Sequence, residues 1–294
     1  MKTVILLFQS MRPTQWTKNG FILLPLLFSQ KVFHYASLLK ALAAVAIFCI
    51  IASAVYIIND LSDLEADRRH PEKKHRPLVS GFVSPGLAKL VAGILIFFFL
   101  SGGYYLGKSF LLILICYLVV QMLYNFWLKE IIILDVFCVS TGFFLRVIAG
   151  AVVIHVAISP WLIMCTILLA MFIALGRRRH EMMLLGSAEA GRHRKVLSEY
   201  KPYLLDQMIG VITASTLLSY MLYCISPETI EKFKTDHLIY TFPFVLYGIF
   251  RYLYLIHKKN QGGSPEMILV TDFPLLLSII LWGLSCILIL YGVI

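Results

Sequence analysis

Nine long apolar runs separated by polar segments constrain this chain more than any other feature. They cover Phe21–Phe33, Leu38–Ile58, Pro85–Leu106, Phe110–Trp127, Leu134–Val153, Pro160–Leu175, Leu205–Ile225, Leu238–Ile256 and Asp272–Ile294. A helix of about 20 apolar residues matches the hydrocarbon thickness of a bilayer. Only helices satisfy their backbone hydrogen bonds within one segment there, and these runs are too long for barrel strands. With 60% hydrophobic and 14% charged residues among 294, the chain carries more apolar surface than a water-soluble domain of that length hides. The expected fold is all-α: a polytopic membrane protein of nine transmembrane helices in one bundle, with residues 1–294 forming a single domain. The first run is short and carries Pro25, so a break, or an extension by the segment before it, is expected there.

Charge sets which way such a bundle lies. With nine spans and a cytoplasmic amino terminus, the inner segments hold nineteen of the 26 lysines and arginines. These are Lys2, Arg12 and Lys18; Arg68, Arg69, Lys73, Lys74 and Arg76; Lys129; Arg177, Arg178, Arg179, Arg192, Arg194, Lys195 and Lys201; and Arg251, Lys258 and Lys259. The outer segments hold Lys31, Lys40, Lys108, Lys232 and Lys234. That asymmetry obeys the positive-inside rule. The expected location is a bacterial plasma membrane, with the amino terminus and the charged loops cytoplasmic. The net charge of +10 then follows from topology and phosphate binding, and no nucleic-acid partner is implied. The six cysteines (Cys49, Cys116, Cys138, Cys165, Cys224, Cys286) sit singly in apolar runs, without metal spacing or a disulfide framework. Arg12, Pro13 and Lys18 interrupt the amino terminus before any apolar core long enough for a cleavable signal peptide.

The stretch from Asn59 to Gly81, directly after the second apolar run, carries the most chemistry. If that helix continues, Asn59, Asp63 and Asp67 stand four residues apart on one face, with Asp60 beside them. Three carboxylates and an amide oxygen are hard ligands suited to Mg²⁺, which takes a few carboxylates, retained waters and a substrate's phosphate oxygens. Lys73, Lys74 and Arg76 follow at once, placed to pair with phosphate oxygens that a metal leaves free. The plain alternative is a solvated, mixed-charge loop between two helices, but the Asn-Asp-x-x-Asp-x-x-x-Asp register is tighter than such a loop needs. The next run opens at Ser84-Pro85, an N-cap with proline at the first helical position.

Other polar groups stand where the bilayer gives little reason for them. Trp16 between Arg12 and Lys18 has the composition of a membrane-interface anchor; alternatively Lys18 points into a cavity as a phosphate ligand. Before it, Val4, Leu7, Phe8 and Met11 form a helix-like apolar pattern suited to the membrane surface. Tyr124, Asn125 and Lys129 close the fourth run, as interfacial groups or as the wall of a site. Arg146 lies well inside the fifth run, where an arginine is costly unless it faces a water-filled cavity, an anion, a carboxylate or backbone carbonyls. Gly176-Arg177-Arg178-Arg179-His180-Glu181 ends the sixth run and opens a polar loop to Tyr200-Lys201-Pro202-Tyr203. Three arginines there satisfy topology and the helix dipole by themselves. Yet this loop and the Asn59–Gly81 loop both carry more charge than topology requires, as a lid over one polar cavity would. Ser226–His237 reads as a solvated outer loop, Lys258–Glu266 as a flexible linker with Gly262 and Gly263, and Asp272 as the N-cap of the last run.

Together these residues resemble the UbiA-like intramembrane transferases: nine spans, with Asn59-Asp60-x-x-Asp63-x-x-x-Asp67 after the second. The resemblance covers essentially the whole chain. Within that family the chain is most similar to the decaprenyl-phosphate phosphoribosyltransferase branch. The matching pieces are Arg12-Pro13-x-Gln15-Trp16-x-Lys18-Asn19, His70-Pro71-x-Lys73-x-x-Arg76-Pro77, Ser140-x-Gly142-Phe143-x-Leu145-Arg146, Gly176-Arg177-Arg178 with Glu181, and Tyr200-x-x-Tyr203-Leu204. The resemblance implies a bundle around a cavity open to the cytoplasm and sideways to lipid, where Mg²⁺ on Asp60, Asp63 and Asp67, with Asn59, binds a phosphorylated donor. It implies that Lys18, Asn59, Lys73, Arg76, Tyr124, Asn125, Lys129, Arg146, Arg177, Arg178, Glu181, Tyr200 and Tyr203 bind substrates. In one respect the chain departs from the wider family, whose prenyl-diphosphate users carry a second aspartate-rich motif after span six. Here that place is Arg177-Arg178-Arg179-His180-Glu181, which suits a donor with an additional phosphate or an acceptor that is itself a phosphate.

The implied reaction is Mg²⁺-dependent transfer of 5-phosphoribosyl from phosphoribosyl diphosphate to a polyprenyl phosphate of the decaprenyl type, releasing diphosphate. Use of the product in cell-wall precursors is what the family suggests. The alternative within the family moves a prenyl chain from a prenyl diphosphate to an aromatic or other lipophilic acceptor, and leaves the arginines unexplained. A transporter with Arg146 on an anion path is the remote alternative; the chain shows no internal repeat of the kind transporters carry. Acceptor chain length and a homo-oligomeric state are left open.

Overall fold

A computed structural model of the protein describes residues 2–69, 73–193, 195–258, 263 and 265–292. His70 and Pro71 of the loop motif, Arg194, Lys259 and Gly262 lie outside the described residues. The first half comprises α1 (Lys2–Ser10), a 3-10 segment (Pro13–Leu23), α2 (Leu24–Phe28), α3 (Tyr35–Ser62), α4 (Leu64–Arg69), α5 (Pro85–Leu106), α6 (Lys108–Phe126) and α7 (Leu134–Val153). The second comprises α8 (Pro160–His193), α9 (Lys195–Glu199), α10 (Pro202–Ile225), α11 (Pro227–Phe233), α12 (Phe242–Lys258), α13 (Pro265–Thr271) and α14 (Phe273–Leu290).

Among the described residues, eight helices are long and apolar enough to cross a membrane: α3, α5, α6, α7, α8, α10, the stretch His237–Lys258 and α14. The ninth expected span, Phe21–Phe33, is not a regular α-helix. It begins earlier, as a 3-10 segment from Pro13, and becomes α-helical only over Leu24–Phe28. Pro25 sits in the first turn of α2, where a missing N–H breaks no bond. A 3-10 helix rises about 2.0 Å per residue and an α-helix about 1.5 Å, so Pro13–Phe28 still reaches about 30 Å, the hydrocarbon thickness of a bilayer.

Three residues per turn give the 3-10 segment three straight edges. Trp16, Asn19 and Ile22 form the inward edge: Asn19 and Ile22 are buried, and Trp16 Nε1 donates to Ser53 Oγ of α3 at 3.0 Å. Gln15, Lys18 and Phe21 form a second edge, and Thr17 and Gly20 a third; both face cavities. The segment packs against α3 and α7, the most enclosed of the spans. Many of their buried residues are small, including Ala41, Ala44, Ala52 and Ala54 on α3 and Ala149, Gly150 and Ala151 on α7. Small residues let backbones approach closely in lipid, where no hydrophobic force draws helices together. The tightest point is Gly150, where an added Cβ would run into the Ile22 carbonyl oxygen.

The polar loop expected after the sixth span is helical instead. α8 runs on to His193 and α9 follows at Lys195. No proline lies between Gly176 and His193, so the helix outlasts its apolar stretch. The Ser226–His237 connection likewise contains α11, capped where Ser226 Oγ accepts from Thr229 N at 3.3 Å, with Thr229 and Phe233 buried. The N-caps expected at Ser84 and Asp272 are present: Ser84 Oγ accepts from Leu87 N at 3.3 Å, and Asp272 Oδ1 from Leu275 N at 3.1 Å. At the end of the bundle where α11 lies, lysines close helix termini, Lys232 Nζ donating to Phe28 O at 3.0 Å and Lys31 Nζ to Ile154 O at 3.3 Å. The charged segments gather at the other end.

Gly150→Ala is expected to push α7 off the 3-10 segment and to destabilise the bundle by about 1–3 kcal/mol, the range for overpacking a filled core. A lower thermal midpoint in detergent, with helical circular dichroism retained below it, checks this.

Candidate active site

The acidic row is not one straight face. α3 ends at Ser62, Asp63 is its C-cap with φ −100° and ψ 11°, and α4 begins at Leu64. The continuous helix that would stack Asn59, Asp63 and Asp67 is replaced by a bend at Asp63. Carboxylates are disfavoured at a helix C-terminus, where the dipole is negative, and Ser62 Oγ turns back onto Asn59 O at 2.9 Å. The bend divides the acids. Asp60 and Asp67 are buried and meet at one cation: Arg76 Nη1 donates to Asp60 Oδ1 at 3.0 Å and to Asp67 Oδ2 at 2.5 Å. Arg12 also pairs with Asp60, and Lys73 Nζ lies 3.7 Å from Asp67 Oδ1. Asp63 instead pairs with Lys129 and accepts from Asn59 Nδ2 at 3.3 Å. Burial, and then the Arg12 charge, pull Arg76 below its usual value, while Asp60 and Asp67 push it up.

Among the described residues no three carboxylates, imidazoles or thiolates converge on one point. Two carboxylates sharing one cation nevertheless fit what Mg²⁺ requires of a protein, since waters and phosphate oxygens complete its shell. Asp60 and Asp67 are therefore a chemically suitable pair of ligands.

Two polar chambers adjoin this row. The outer one, about 280 Å³, lies between Gln9 and Ser10 of α1, Arg12, Gln15, Asp60, Lys73, Arg76, Arg177, His180 and Glu181. The inner one, about 160 Å³, reaches past Lys18, Asn59, Asp63, Tyr124 and Asn125 to Tyr117, Gln121 and Arg146. Arg12, Lys73, Arg76, Arg177 and Glu181 line both. Among the described residues, seven cations (Arg12, Lys18, Lys73, Arg76, Arg146, Arg177, Arg178) and three carboxylates (Asp60, Asp63, Glu181) line the two chambers. A third cavity, about 390 Å³, is apolar, walled by Phe21, Leu24, Phe28, Leu162, Phe172, Tyr223 and Trp282 among others. Ile173 and Pro265 line both it and the inner chamber.

Arg146 is buried, and no carboxylate among the described residues pairs with it. Its Nε donates to Asn19 Oδ1 at 2.7 Å, Nη1 to Gly142 O at 2.7 Å, and Nη2 to Tyr117 Oη at 3.0 Å. The Tyr117 and Phe143 rings lie 4.9 and 5.6 Å from the guanidinium carbon, adding cation–π attraction. Neutral dipoles thus hold a net positive charge, and two of the five N–H donors of an arginine are left for a ligand. Asn125 is also buried, and its Nδ2 has no partner among the described residues.

The three arginines of α8 divide by direction. Arg177 lines both chambers, with Nε 3.6 Å from Glu181 Oε1. Arg178 is buried, and its Nε, Nη1 and Nη2 donate to Asp135 Oδ2 at 2.5 Å, Glu181 Oε2 at 2.7 Å and Tyr124 Oη at 3.0 Å. Arg179 turns to α10, its Nε donating to Asp206 Oδ1 at 2.6 Å. The structure brings Lys18, Asn59, Asp60, Asp63, Lys73, Arg76, Tyr124, Asn125, Arg146, Arg177, Arg178 and Glu181 to the chamber walls. It places four expected residues off those walls: Asp67 is held by Arg76 and Lys73, Lys129 pairs with Asp63, and Tyr200 and Tyr203 have other surroundings. Tyr200 is buried against Asp135, and burial, then Asp135, push its phenol up. Tyr203 is 73% exposed, with Oη accepting from Gln207 Nε2 at 2.8 Å. Arg12, Asn19, Tyr117, Gln121 and Asp135 had no expected role in the site, although Arg12 and Asn19 fall within a matched motif. Asn19 and Asp135 carried a usable signal: a polar group at the edge of an apolar run needs a partner, as Arg146 does within one.

The model of the UbiA prenyltransferase family matches residues 21–268. A decaprenyl-phosphate phosphoribosyltransferase of Mycolicibacterium smegmatis is 31% identical over 287 residues, covering 94% of this chain and 89% of that protein. One of Corynebacterium glutamicum is 29% identical over 299 residues, covering 97% and 86%. The solved structure of a UbiA homolog from Archaeoglobus fulgidus bound to GPP and Mg²⁺ matches with a TM-score of 0.73 over 96% of this chain and 99% of that one; at 19% identity the likeness is one of fold. With a family model across most of its length and relatives alike nearly from end to end, this chain belongs to the UbiA prenyltransferase family.

Proposed function

We propose that the protein transfers a 5-phosphoribosyl group from phosphoribosyl diphosphate to a polyprenyl phosphate, with Mg²⁺, at the cytoplasmic face of the membrane. One observation carries this reading: chambers lined by seven cations and three carboxylates adjoin an apolar cavity at Ile173 and Pro265. A water-soluble polyphosphate suits the chambers. A lipid phosphate suits both spaces, its head beside the cations and its tail in the apolar cavity. The names of the mycobacterial and corynebacterial relatives support the same transferred group and the same class of acceptor. The distribution of basic residues supports the cytoplasmic orientation.

Asp60 and Asp67, with Asn59 and Asp63 on the chamber wall, would hold Mg²⁺, which when bound neutralises the departing diphosphate. Lys18, Lys73, Arg76 and Arg177 bind phosphate oxygens, and so stabilise charge that builds on the leaving group as its bond to C1 breaks. Arg146 holds the acceptor phosphate with its two remaining donors, and Asn125 Nδ2 donates to a substrate oxygen. The acceptor oxygen is an anion at neutral pH, so no general base is required. It bonds to C1 on the face opposite the leaving diphosphate, which takes the bonding electron pair, and C1 inverts. The apolar cavity would equally take the chain of a prenyl-diphosphate donor, which keeps prenyl transfer as the second reading.

Three outcomes are expected. Purified protein in lipid with Mg²⁺ moves label from phosphoribosyl diphosphate into the lipid phase when given a polyprenyl phosphate, and a chelator abolishes this; product from a prenyl diphosphate and an aromatic acid alone would establish the second reading. Asp63→Asn lowers turnover by roughly 10²-fold, as losing one fixed transition-state contact does, with the melting temperature retained; full Mg²⁺-dependent activity in that variant would refute the site. Arg146→Gln raises the acceptor KM by about 10- to 100-fold, the worth of a charge-assisted hydrogen bond, and leaves the donor KM unchanged in steady-state kinetics.

A further inference from the structure

Asp135 lines neither chamber, yet it is the most completely enclosed carboxylate among the described residues, at 0% exposure. Both of its oxygens are engaged. Oδ2 accepts from Arg178 Nε at 2.5 Å, and Oδ1 accepts from Tyr200 Oη at 2.9 Å. Tyr200 Oη accepts in turn from Ile133 N at 2.9 Å. Ile133 has φ +69° and ψ −46°, and Leu134 N donates across it to Ile132 O at 2.8 Å. This is a γ-turn of the strained hand, at a β-branched residue for which positive φ is rare. Such a conformation persists where its surroundings over-determine it. Here the surroundings are Tyr200 and, through it, Asp135.

Arg178 carries the network to the chamber. Its guanidinium is a rigid plane, fixed on one side by Asp135, and its Nη1 and Nη2 hold Glu181 and Tyr124. Both of these line the inner chamber. Because Tyr124 Oη accepts from Arg178, its own proton is directed away from the guanidinium. Rotation of Arg178 would move Tyr124 and Glu181 together.

We propose that Asp135 is a positioning residue: it locks Arg178, and thereby the directions from which the Tyr124 hydroxyl and the Glu181 carboxylate address the substrate. A purely structural ion pair makes a different demand. Removing one partner of a buried pair leaves an uncompensated charge and destabilises, whereas removing both is often tolerated. A structural pair is therefore replaceable by neutral groups, and a positioning pair is not.

The test compares wild type, Asp135→Asn and the double variant Asp135→Asn/Arg178→Met in one lipid mixture, by melting temperature, kcat and KM. The proposal rests on the transferase reading, and the assay uses whichever donor the wild-type protein accepts, phosphoribosyl or prenyl diphosphate, so an error about the donor leaves this comparison intact. Asp135→Asn is expected to melt lower and to lose about tenfold or more in kcat, the scale on which misplaced reacting groups slow turnover. The double variant is expected to regain melting temperature but to stay as slow. The donor KM is expected to rise by less than kcat falls in both, since the network meets the proposed phosphate cations at Arg177, through Glu181. A double variant that recovers wild-type kcat along with its stability would overturn the proposal and leave Asp135 a structural partner. If the charge variants do not fold, Tyr200→Phe decides: it removes one bond to Asp135 and one from Ile133 N at unchanged charge. Wild-type kcat in that variant refutes the proposal, as does a kcat lowered only in step with the folded fraction, while a kcat lowered at constant melting temperature supports it.

Discussion

A charge drawn into a low-dielectric bundle must meet an opposite charge or a dense set of dipoles, because neither water nor lipid will compensate it there. That requirement organises the polar end of this protein. Asp60 meets Arg12 and Arg76, Asp67 meets Arg76 and Lys73, Asp63 meets Lys129, and Asp135 meets Arg178. The partners come from segments far apart in the chain: the start of the 3-10 segment, the end of α3, the loop before α5, the α6–α7 connection and the extension of α8. Each pairing therefore fixes the position of one connection relative to another. Connections that join spans elsewhere as free loops are here tied into a single polar layer over the apolar bundle.

Arg146 obeys the same requirement by another route. Its charge is met by an amide oxygen, a carbonyl, a phenol and ring faces. Dipoles spread a cation's field without cancelling it, so the inner chamber keeps a positive floor. Carboxylates at the mouth and an uncancelled cation at the base give the chambers a gradient of charge along their depth, with the apolar cavity alongside. Such a layout orders an amphiphile by chemistry alone, anionic head against the floor and tail to the side.

What the sequence made legible follows from which forces act locally. The spans announced themselves because the bilayer fixes both their length and their apolarity. The N-caps at Ser84 and Asp272 were legible because a cap is a contact within four residues. The 3-10 form of Pro13–Leu23 was not, since its composition suits either helix and the choice is made by packing against α3 and α7. The end of α8 was misplaced because apolarity stops at Leu175 while helicity, with no proline to end it, does not. In the site, residue types were readable and partners were not. Arg177 and Arg178 are neighbours in sequence but point about 100° apart around a helix, so only the rotation of α8 decides that one lines both chambers and the other touches the inner one alone while pairing with Asp135. Tyr200 was read as a substrate contact, although its partner, Asp135, lies 65 residues earlier in the first turn of α7. The stacked acidic row presumed a straight helix, whereas α3 ends at Ser62 with Asp63 as its C-cap, and Asp60 and Asp67 then share Arg76 while Asp63 pairs with Lys129.

The 3-10 segment leaves a mark on how this protein can vary. With a turn of three residues, successive positions step by about 120° around the axis, so its edges repeat strictly by threes. Loss or gain of a single residue before Gln15 would exchange all three edges at once, moving Lys18 from the chamber side to the packed or apolar side and bringing an unsuited neighbour into its place. A change of three residues would preserve every facing. Length in this stretch is thus quantised: the geometry admits the segment in whole turns, and a lineage that shortens or lengthens it by any other amount must give up the 3-10 form or the chamber wall it builds.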